Sequence, residues 1–421
     1  MKRKIALLMA MVLLMTTMQV NFASAEEETT EVPVIEVTAE TTEEPVIEVA
    51  EETIAQPMEL SIEQAIQLAT DSDRGMWKID DAIKQMQDAR SQGKDAKDQA
   101  ETLIGMSFDQ IAYVEEITGE SLDITSNYVE TLMAKNGYYI KSADTQMEML
   151  KKNKDLLTVG IEIKTKSLYY SVLVAEKTIE INEEKIKSAN EQLRVINLKF
   201  NNGSATKAEV LNVEMSVQQA KTDLDSANDD LKMAELNLLN ALDLSFDTEI
   251  ELTDNELNYV PTQEINLCEA VEKAKLERAE ILAAENKLEL QEIKTHVYTA
   301  YYTSNLRQNK AAKEDLKDAE LNVPQAYKDV DLDVRKSYLN LVKSERALTN
   351  MDKTVELARE AARINKLLYE NGMVASVDVI KADSSLAQAE IGRYQLLVAY
   401  NINKLMFDNS DLISSSSDTD I

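Results

Sequence analysis

Apolar residues recur every seven positions along much of this chain. One stretch has two such rows, three residues out of step, the first of large side chains and the second mostly of alanines: Val210, Val217, Leu224, Leu231 and Leu238, then Val213, Ala220, Ala227, Ala234 and Ala241. The stretch before it has the same pattern: Ile179, Ile186, Leu193 and Phe200, with Ala189 and Ile196 in the second row. Because an apolar seam of this period makes two helices wrap around each other, the pattern predicts a long coiled-coil hairpin.

Two asparagine-glycine pairs mark the places where the helices are expected to reverse direction. Asn202-Gly203 ends the earlier heptad stretch, and Asn371-Gly372 has an equivalent place further along the chain. Glycine readily adopts the positive φ that ends a helix, so each pair is predicted to form the tip of a hairpin. No proline occurs at residues 58–260, and the chain has only nine glycines, which favours long uninterrupted helices.

The chain also contains an internal repeat. The helix start from Ser61 to Gln64 recurs 205 residues later as Asn266 to Glu269, and both have the side chains of a capping box. The asparagine-glycine turns recur at an offset of only 169, so the first copy has 36 additional residues, all of them before Tyr169. The predicted fold class is therefore all-α, with two tandem repeats of long antiparallel coiled-coil helical hairpins and little or no β structure.

Composition separates the two ends of the chain from these repeats. The segment before the first repeat has eleven glutamates, no lysine or arginine, and a repeated Pro-Val-Ile-Glu-Val, which is typical of a spacer that cannot build a core. The predicted organisation is a signal peptide at 1–25, an acidic low-complexity spacer at 26–57, a first repeat at 58–260, a second repeat at 261–408 and a disordered tail at 409–421.

The N-terminus has the three parts of a secretory signal peptide. Basic residues at positions 2–4 precede an apolar run at 5–15, and the small residues at 23–25 match a cleavage site. The apolar run is shorter than the roughly 20 residues that a membrane-spanning helix needs. We therefore predict export, with cleavage after Ala25.

The charge balance narrows the choice of partners. The chain has 76 acidic and 45 basic residues, which gives a formal net charge of −31. A protein this acidic offers no basic face to neutralise phosphates, which argues against a nucleic-acid partner. The charge favours solubility and cationic partners.

Few residues of this sequence are candidates for a catalytic site. His296 is the only histidine and Cys268 the only cysteine, which excludes an internal disulfide and a zinc-thiolate cluster. We interpret His296 as structural or exposed, and Cys268 as a small buried filler. Glycine-rich phosphate loops and the common hydrolase and metalloprotease motifs do not occur. The sequence therefore predicts a protein that is not an enzyme and has no cofactor and no metal.

Both predicted tips have the same motif: an aromatic residue, two further residues, a glycine and then a hydrophobic-acid-hydrophobic helix start. Further paired segments accompany it. The segments are Leu60–Ala69, Ser167–Leu173 and Phe200–Leu211 in the first copy, and Val334–Leu339 and Tyr369–Ile380 in the second. They resemble the TolC family, the outer-membrane efflux proteins, and the resemblance covers roughly residues 58–408.

The resemblance implies how the protein would work. It implies a homotrimer whose helices form a hollow duct, with a periplasmic-type adaptor protein and an inner-membrane transporter as partners. It places the contacts with the adaptor at the two tips and a pore constriction close by. The implied adaptor contacts are Asn202, Gly203, Ser204, Ala205, Asn371, Gly372, Met373 and Val374, and the implied constriction residues are Tyr369 and Asp378.

The membrane region departs from that family. Its members insert strands midway through each repeat, and such strands have about 9–11 residues of alternating polarity. Charged helical sequence fills those places here, at 145–152 and 309–316, which indicates that most or all of the β-barrel strands are missing. Three hypotheses stay open: a TolC-like efflux duct of the outer membrane or envelope, a barrel-less coiled-coil scaffold or adaptor-binding protein without channel activity, and an unrelated secreted coiled-coil protein.

Overall fold

The structure is a computed structural model that describes residues 57–118, 128–254, 257, 259, 261–262 and 265–414. The predicted signal peptide, the predicted spacer up to residue 56 and the end of the predicted tail, residues 415–421, lie outside the described residues. The described part consists of ten helices and two short strands. In chain order these are β1 Met58–Leu60, α1 Ile62–Ser72, α2 Arg74–Gly105, α3 Phe108–Thr118, α4 Tyr128–Lys135, α5 Tyr138–Asn201, α6 Lys207–Ala241, β2 Ile250–Leu252, α7 Leu267–Glu277, α8 Ala279–Tyr301, α9 Arg307–Glu370 and α10 Ser376–Asp408.

Helix dominates this part of the chain. The two strands have three residues each and pair in parallel, with Leu60 opposite Leu252. The prediction of an all-α fold with little β structure is confirmed for the described residues. The charged segments 145–152 and 309–316, which we predicted to be helical, lie within α5 and α9. None of the described helices is both long enough and apolar enough to cross a membrane.

The helices repeat in order, and their lengths are similar except for α2 and α8, which have 32 and 23 residues. α1, α2, α5 and α6 recur as α7, α8, α9 and α10, and the longest helices, α5 and α9, have 64 residues each. Between α2 and α5 the first copy has α3 and α4, where the second copy has only the short connection from Tyr301 to Arg307. The boundary between the copies at residue 260 stays a prediction.

The apolar seam predicted from the heptads is buried between α5 and α6. Val213, Ala220 and Ala227 have relative exposures of only 0%, 1% and 2%. Alanine in this row allows the two backbones to approach closely. Phe200 departs from the prediction and is 40% exposed. It lies in the last turn of α5, and α6 begins only at Lys207, so little of the neighbouring helix is available to cover it.

We expect Ala227→Leu to lower the free energy of unfolding by about 1–3 kcal/mol, because the added methylenes have no room in the seam. Urea unfolding followed by circular dichroism measures the change. Ala208→Leu is the matched control, since Ala208 is exposed on the same helix and should change the stability by less than about 0.5 kcal/mol. Equal stabilities for the two variants would show that Ala227 has no close neighbour.

The two hairpins, α5–α6 and α9–α10, contact each other through α5 and α10. α6 packs mainly on α5, and α9 packs on α10. α5 also packs on α1, α2 and α8, and α9 also packs on α7 and α8. α6 and α9 are therefore the edge helices of the packed hairpins.

The first residues of the predicted tail are ordered. Residues 409–414 are held against the protein, since Arg278 Nη1 donates to the Ser410 carbonyl oxygen at 3.4 Å. Ile413 is 7% exposed and lies in an apolar cluster with Val159 of α5. The serine-rich sequence suggested disorder, but Leu412 and Ile413 both pack in this cluster and polar contacts add to them.

Candidate functional site

Both asparagine-glycine turns end their helices with the same hydrogen-bond pattern. After α5, the Gly203 N–H donates to the Phe200 carbonyl oxygen at 2.9 Å, and the Ser204 N–H donates to that of Lys199 at 2.8 Å. The corresponding bonds after α9 are 3.0 Å and 2.9 Å long. This is a Schellman motif, which needs a positive φ at the glycine. The φ is 73° at Gly203 and 71° at Gly372.

The tips present most of the predicted adaptor-contact residues to solvent. Ala205 and Val374 are half-buried, and the others are exposed. Met373 is 70% exposed. Exposed methionine side chains are common in binding surfaces. Loops that a rigid scaffold positions commonly carry such surfaces. The exposed residues are Asn202, Gly203, Ser204, Asn371, Gly372 and Met373.

The helices that leave the two turns are capped differently. At α6, Thr206 Oγ1 accepts the Glu209 N–H at 3.2 Å, and Glu209 Oε2 accepts the Thr206 N–H at 2.7 Å. Hydrogen bonds from the Thr206 backbone and hydroxyl hold the pKa of Glu209 below its ordinary value. At α10 the N-cap is Ala375, so only half of this capping box remains, with Asp378 Oδ2 accepting the Ala375 N–H at 3.2 Å. Asp378 is therefore a capping residue on an exposed surface, and its place in a constriction stays a prediction.

We expect Ala375→Thr to raise the free energy of unfolding by about 0.5–2 kcal/mol, and Thr206→Ala to lower it by a similar amount. The two N-caps have nearly the same backbone, with φ and ψ of −80° and 157° at Ala375 and of −93° and 158° at Thr206. A threonine at 375 should therefore complete the capping box with Asp378. Thermal unfolding of the two variants checks the prediction, and a lower stability for Ala375→Thr would contradict it.

Tyr369 lies between the two hairpins. It is 8% exposed, and Lys199 Nζ lies 3.8 Å from the centroid of its ring. This cation–π contact joins α9 to α5. The Tyr369 hydroxyl has no hydrogen-bond partner among the described residues. The side chain that the family resemblance assigned to a constriction thus contributes to the contact between hairpins.

A polar cluster joins the hairpins further from the tips. Asp383 of α10 accepts hydrogen bonds from Ser188 Oγ at 2.7 Å and from Gln192 Nε2 at 3.2 Å. Lys185 Nζ lies 2.7 Å from Asp223 Oδ2 in the same groove, whose volume is about 90 Å³. Burial opposes the charge of Asp223, but hydrogen bonds, the strongest from Lys185, lower its pKa overall. The cluster fixes α5 and α10 in one register.

Sequence reasoning missed Lys199, Ser188, Gln192 and Asp383. All four are polar residues at positions that a heptad pattern assigns to the surface. Their pairing depends on how far one hairpin is shifted along the other, which local periodicity does not determine. An acidic residue on one helix and a serine and a glutamine one turn apart on another are common in any sequence. Their presence therefore does not predict the contact.

The single histidine and the single cysteine lie apart from the tips. His296 is exposed on α8. Cys268, which we predicted to be a buried filler, is exposed. It lies in the first turn of α7, before the buried face of that helix begins at Val271.

Comparison with solved structures identifies the fold. A membrane protein from Pseudomonas aeruginosa superposes with a TM-score of 0.63 at 13% identity, over 83% of this chain and 93% of its own. The CmeC outer membrane channel of Campylobacter jejuni has a TM-score of 0.60 at 12% identity, over 85% and 87%. The outer membrane protein VceC of Vibrio cholerae has a TM-score of 0.60 at 13% identity, over 83% and 95%. The sequence matches no protein-family model and no curated protein.

The described helices have the fold of TolC-type outer-membrane channels. At identities of this size the likeness establishes the fold. It confirms, at that level, the resemblance indicated by the two tip motifs and by the repeated helix starts. Of the three structures, CmeC is described as an outer membrane channel.

Proposed function

We propose that this protein is a TolC-like component of an export duct, which passes substrates across the cell envelope together with an adaptor protein and an inner-membrane pump. The observation that carries the proposal is the fold, which matches that of proteins described as outer-membrane channels over more than four fifths of this chain. In this proposal the protein has no catalytic activity and needs no cofactor.

The duct requires several copies of the chain. We propose a homotrimer, exported by the predicted signal peptide and located in the outer membrane or elsewhere in the envelope. The likeness to proteins described as outer membrane channels supports this location. The strongly acidic composition supports an adaptor, rather than a nucleic acid, as the macromolecular partner.

The two tips are the surface that we assign to the adaptor. Closing a hairpin needs only the asparagine-glycine turn, yet Met373 next to it is 70% exposed. An apolar side chain at a fixed apex gains free energy when a partner covers it. In the first tip the corresponding residue is Ser204, so the second tip offers the larger apolar contact.

We expect the double variant Met373→Glu with Val374→Glu to reduce the amount of a co-expressed adaptor recovered with the protein. Two carboxylates would have to lose their hydration at the contact, which is costly without a pairing cation. The helix content should survive, because both residues lie outside the seam. Pull-down and circular dichroism measure the two effects.

The matched control adds the same charge elsewhere. Phe246 and Leu276 are 60% and 83% exposed and lie away from the tips, so their double replacement by Glu should leave adaptor binding unchanged. Equal binding by the tip variant, the control and the unchanged protein would remove the tips from the mechanism. A monomer in light scattering would favour an exported coiled-coil scaffold over a duct.

A further inference from the structure

A groove opens where α5, α6 and α10 meet, at the contact between the two hairpins. Its volume is about 90 Å³. A water molecule needs only about 10–15 Å³ of such a space, so the groove has room for a small ligand together with several waters. Six of the residues that line the groove are polar: Lys185, Gln192, Ser216, Gln219, Asp383 and Ser384.

The side of the groove between α5 and α6 is fully paired. Lys185 Nζ lies 2.7 Å from Asp223 Oδ2, and Gln219 Nε2 donates a hydrogen bond to Asp223 Oδ1 at 2.8 Å. The lysine and the aspartate therefore neutralise each other, and both carboxylate oxygens of Asp223 have a donor. This side of the groove needs no ligand.

The side between α5 and α10 has acceptors without donors. Ser188 and Gln192 are neutral and both donate to Asp383 Oδ2, so Oδ1 of this carboxylate has no donor and its charge has no counterion among the described residues. Gln192 is only 8% exposed, and its Oε1 has no hydrogen-bond partner in the described part of the chain. Turning the amide over would break its bond to Asp383. A buried polar atom left without a partner commonly marks an ordered water or an ion.

The hairpin scaffold does not itself require polar side chains at these positions. The repeat offset of 169 makes Ser188 and Gln192 of α5 equivalent to Leu357 and Ala361 of α9. α9 has the same length as α5 and forms the same kind of hairpin with an apolar pair in those places. The serine and the glutamine are therefore particular to the groove, where both of them contact Asp383.

The unpaired groups determine the class of ligand. Lys185, Asp223 and Asp383 carry one positive and two negative charges, so the groove has a net charge of −1 and unpaired acceptors, which excludes an anion. Divalent cations are commonly held by several carboxylates, and only one carboxylate here lacks a counterion. Carboxylate, amide and hydroxyl oxygens suit hard cations. Ser216 and Ser384 supply hydroxyl oxygens with lone pairs to the same groove.

We propose that this groove is a binding site for one small monovalent cation, an alkali metal ion or an ammonium group. Asp383 supplies the charge, Gln192 Oε1 supplies a buried acceptor, and the hydroxyl oxygens of Ser216 and Ser384 complete the set. These residues belong to α5, α6 and α10, so the bound cation strengthens the contact between the two hairpins. The site lies within a single chain, and the inference does not depend on the proposed duct.

Unfolding in different salts tests the site, together with sodium-23 NMR. The full-length protein is unfolded by heat in sodium, potassium, ammonium or methylammonium chloride and, at the same ionic strength, in tetramethylammonium chloride, whose cation has no N–H and is too bulky for close contact with oxygens. We expect a higher Tm in the small cations that bind, because a ligand that binds only the folded state stabilises it. Broadening of the sodium resonance measures binding directly. Its reversal by potassium or by methylammonium distinguishes an alkali-ion site from an ammonium site.

Asp383→Asn and Gln192→Met each remove one acceptor and nearly preserve the size of the side chain. We expect Asp383→Asn to weaken cation binding about tenfold or more, and both variants to lose the difference in Tm between salts. Asp225→Asn is the matched control, since it removes the same charge from an exposed position on α6 and should keep that difference. Each variant is compared with itself across salts, so a change in its overall stability does not affect the result. Equal Tm values in all five chlorides for the unchanged protein would overturn the inference, as would a salt difference that persists in both groove variants.

Discussion

Arg278→Ala is expected to lower the free energy of unfolding by about 3–5 kcal/mol. The substitution removes the guanidinium of a buried ion pair, and the carboxylate of that pair remains in the protein. Arg278 is 2% exposed at the bend between α7 and α8, and its Nη2 lies 2.5 Å from Asp333 Oδ2 on α9. Its Nη1 also donates a hydrogen bond to the Ser410 carbonyl oxygen. The variant would leave the Asp333 carboxylate, whose side chain is 13% exposed, without its guanidinium.

Arg363→Ala is the matched control. Arg363 pairs with Glu360 at 2.6 Å, but its side chain is 61% exposed, so its removal should lower the stability far less than Arg278→Ala does. Urea unfolding measures both variants. Limited proteolysis adds a second readout, since loss of Arg278 should expose the segment at 409–414 while Arg363→Ala should not. Similar losses of stability in the two variants would show that burial does not strengthen the Arg278 pair.

The tip turns and the seam could be predicted because their causes are local. A glycine after a helix determines a Schellman turn within six residues, and the heptad rows determine which side of a helix is apolar. The first capping box is also confirmed, with hydrogen bonds in both directions between Ser61 and Gln64. At Asn266 only one direction is well formed, the bond from the Glu269 N–H at 3.3 Å.

The contact between hairpins could not be predicted because its cause is not local. Ser188, Gln192 and Asp383 have ordinary surface polarity, and only the tertiary register brings them together. The same holds for Arg278, whose partner Asp333 is 55 residues away. A buried ion pair across such a separation leaves no periodic trace in the sequence.

Two tyrosines that are equivalent in the sequence repeat have different surroundings in the structure. Tyr169 and Tyr338 are equivalent by sequence, yet Tyr169 is fully buried, donates to the Leu60 carbonyl oxygen at 2.9 Å and accepts the Asp254 N–H at 3.1 Å. Burial raises the pKa of the Tyr169 hydroxyl. Tyr338 instead packs its ring against Phe407, with centroids 5.8 Å apart. The strand pair next to Tyr169 supplies the backbone groups that its hydroxyl needs.

A core substitution in the second copy should have an effect of similar size to Arg278→Ala. Leu341 on α9 has a relative exposure of 0% and packs in the apolar cluster that holds Val334 and Tyr400. Leu341→Ala should lower the free energy of unfolding by about 2–5 kcal/mol, through lost burial and the cavity that remains. The cluster joins α7, α9 and α10, so the loss should appear as a lower urea midpoint for the helical signal of the chain.

Leu276→Ala removes the same atoms from a leucine that is 83% exposed, so its expected effect is below about 0.5 kcal/mol. Both variants replace a helical leucine by alanine, so the difference between them reports mainly the burial of Leu341. The adaptor binding that we propose for the tips should survive Leu341→Ala wherever the protein remains folded, because this residue lies in the core and not at a tip. A Leu341→Ala protein as stable as Leu276→Ala would mean that α9 does not pack on α7 and α10 through this face.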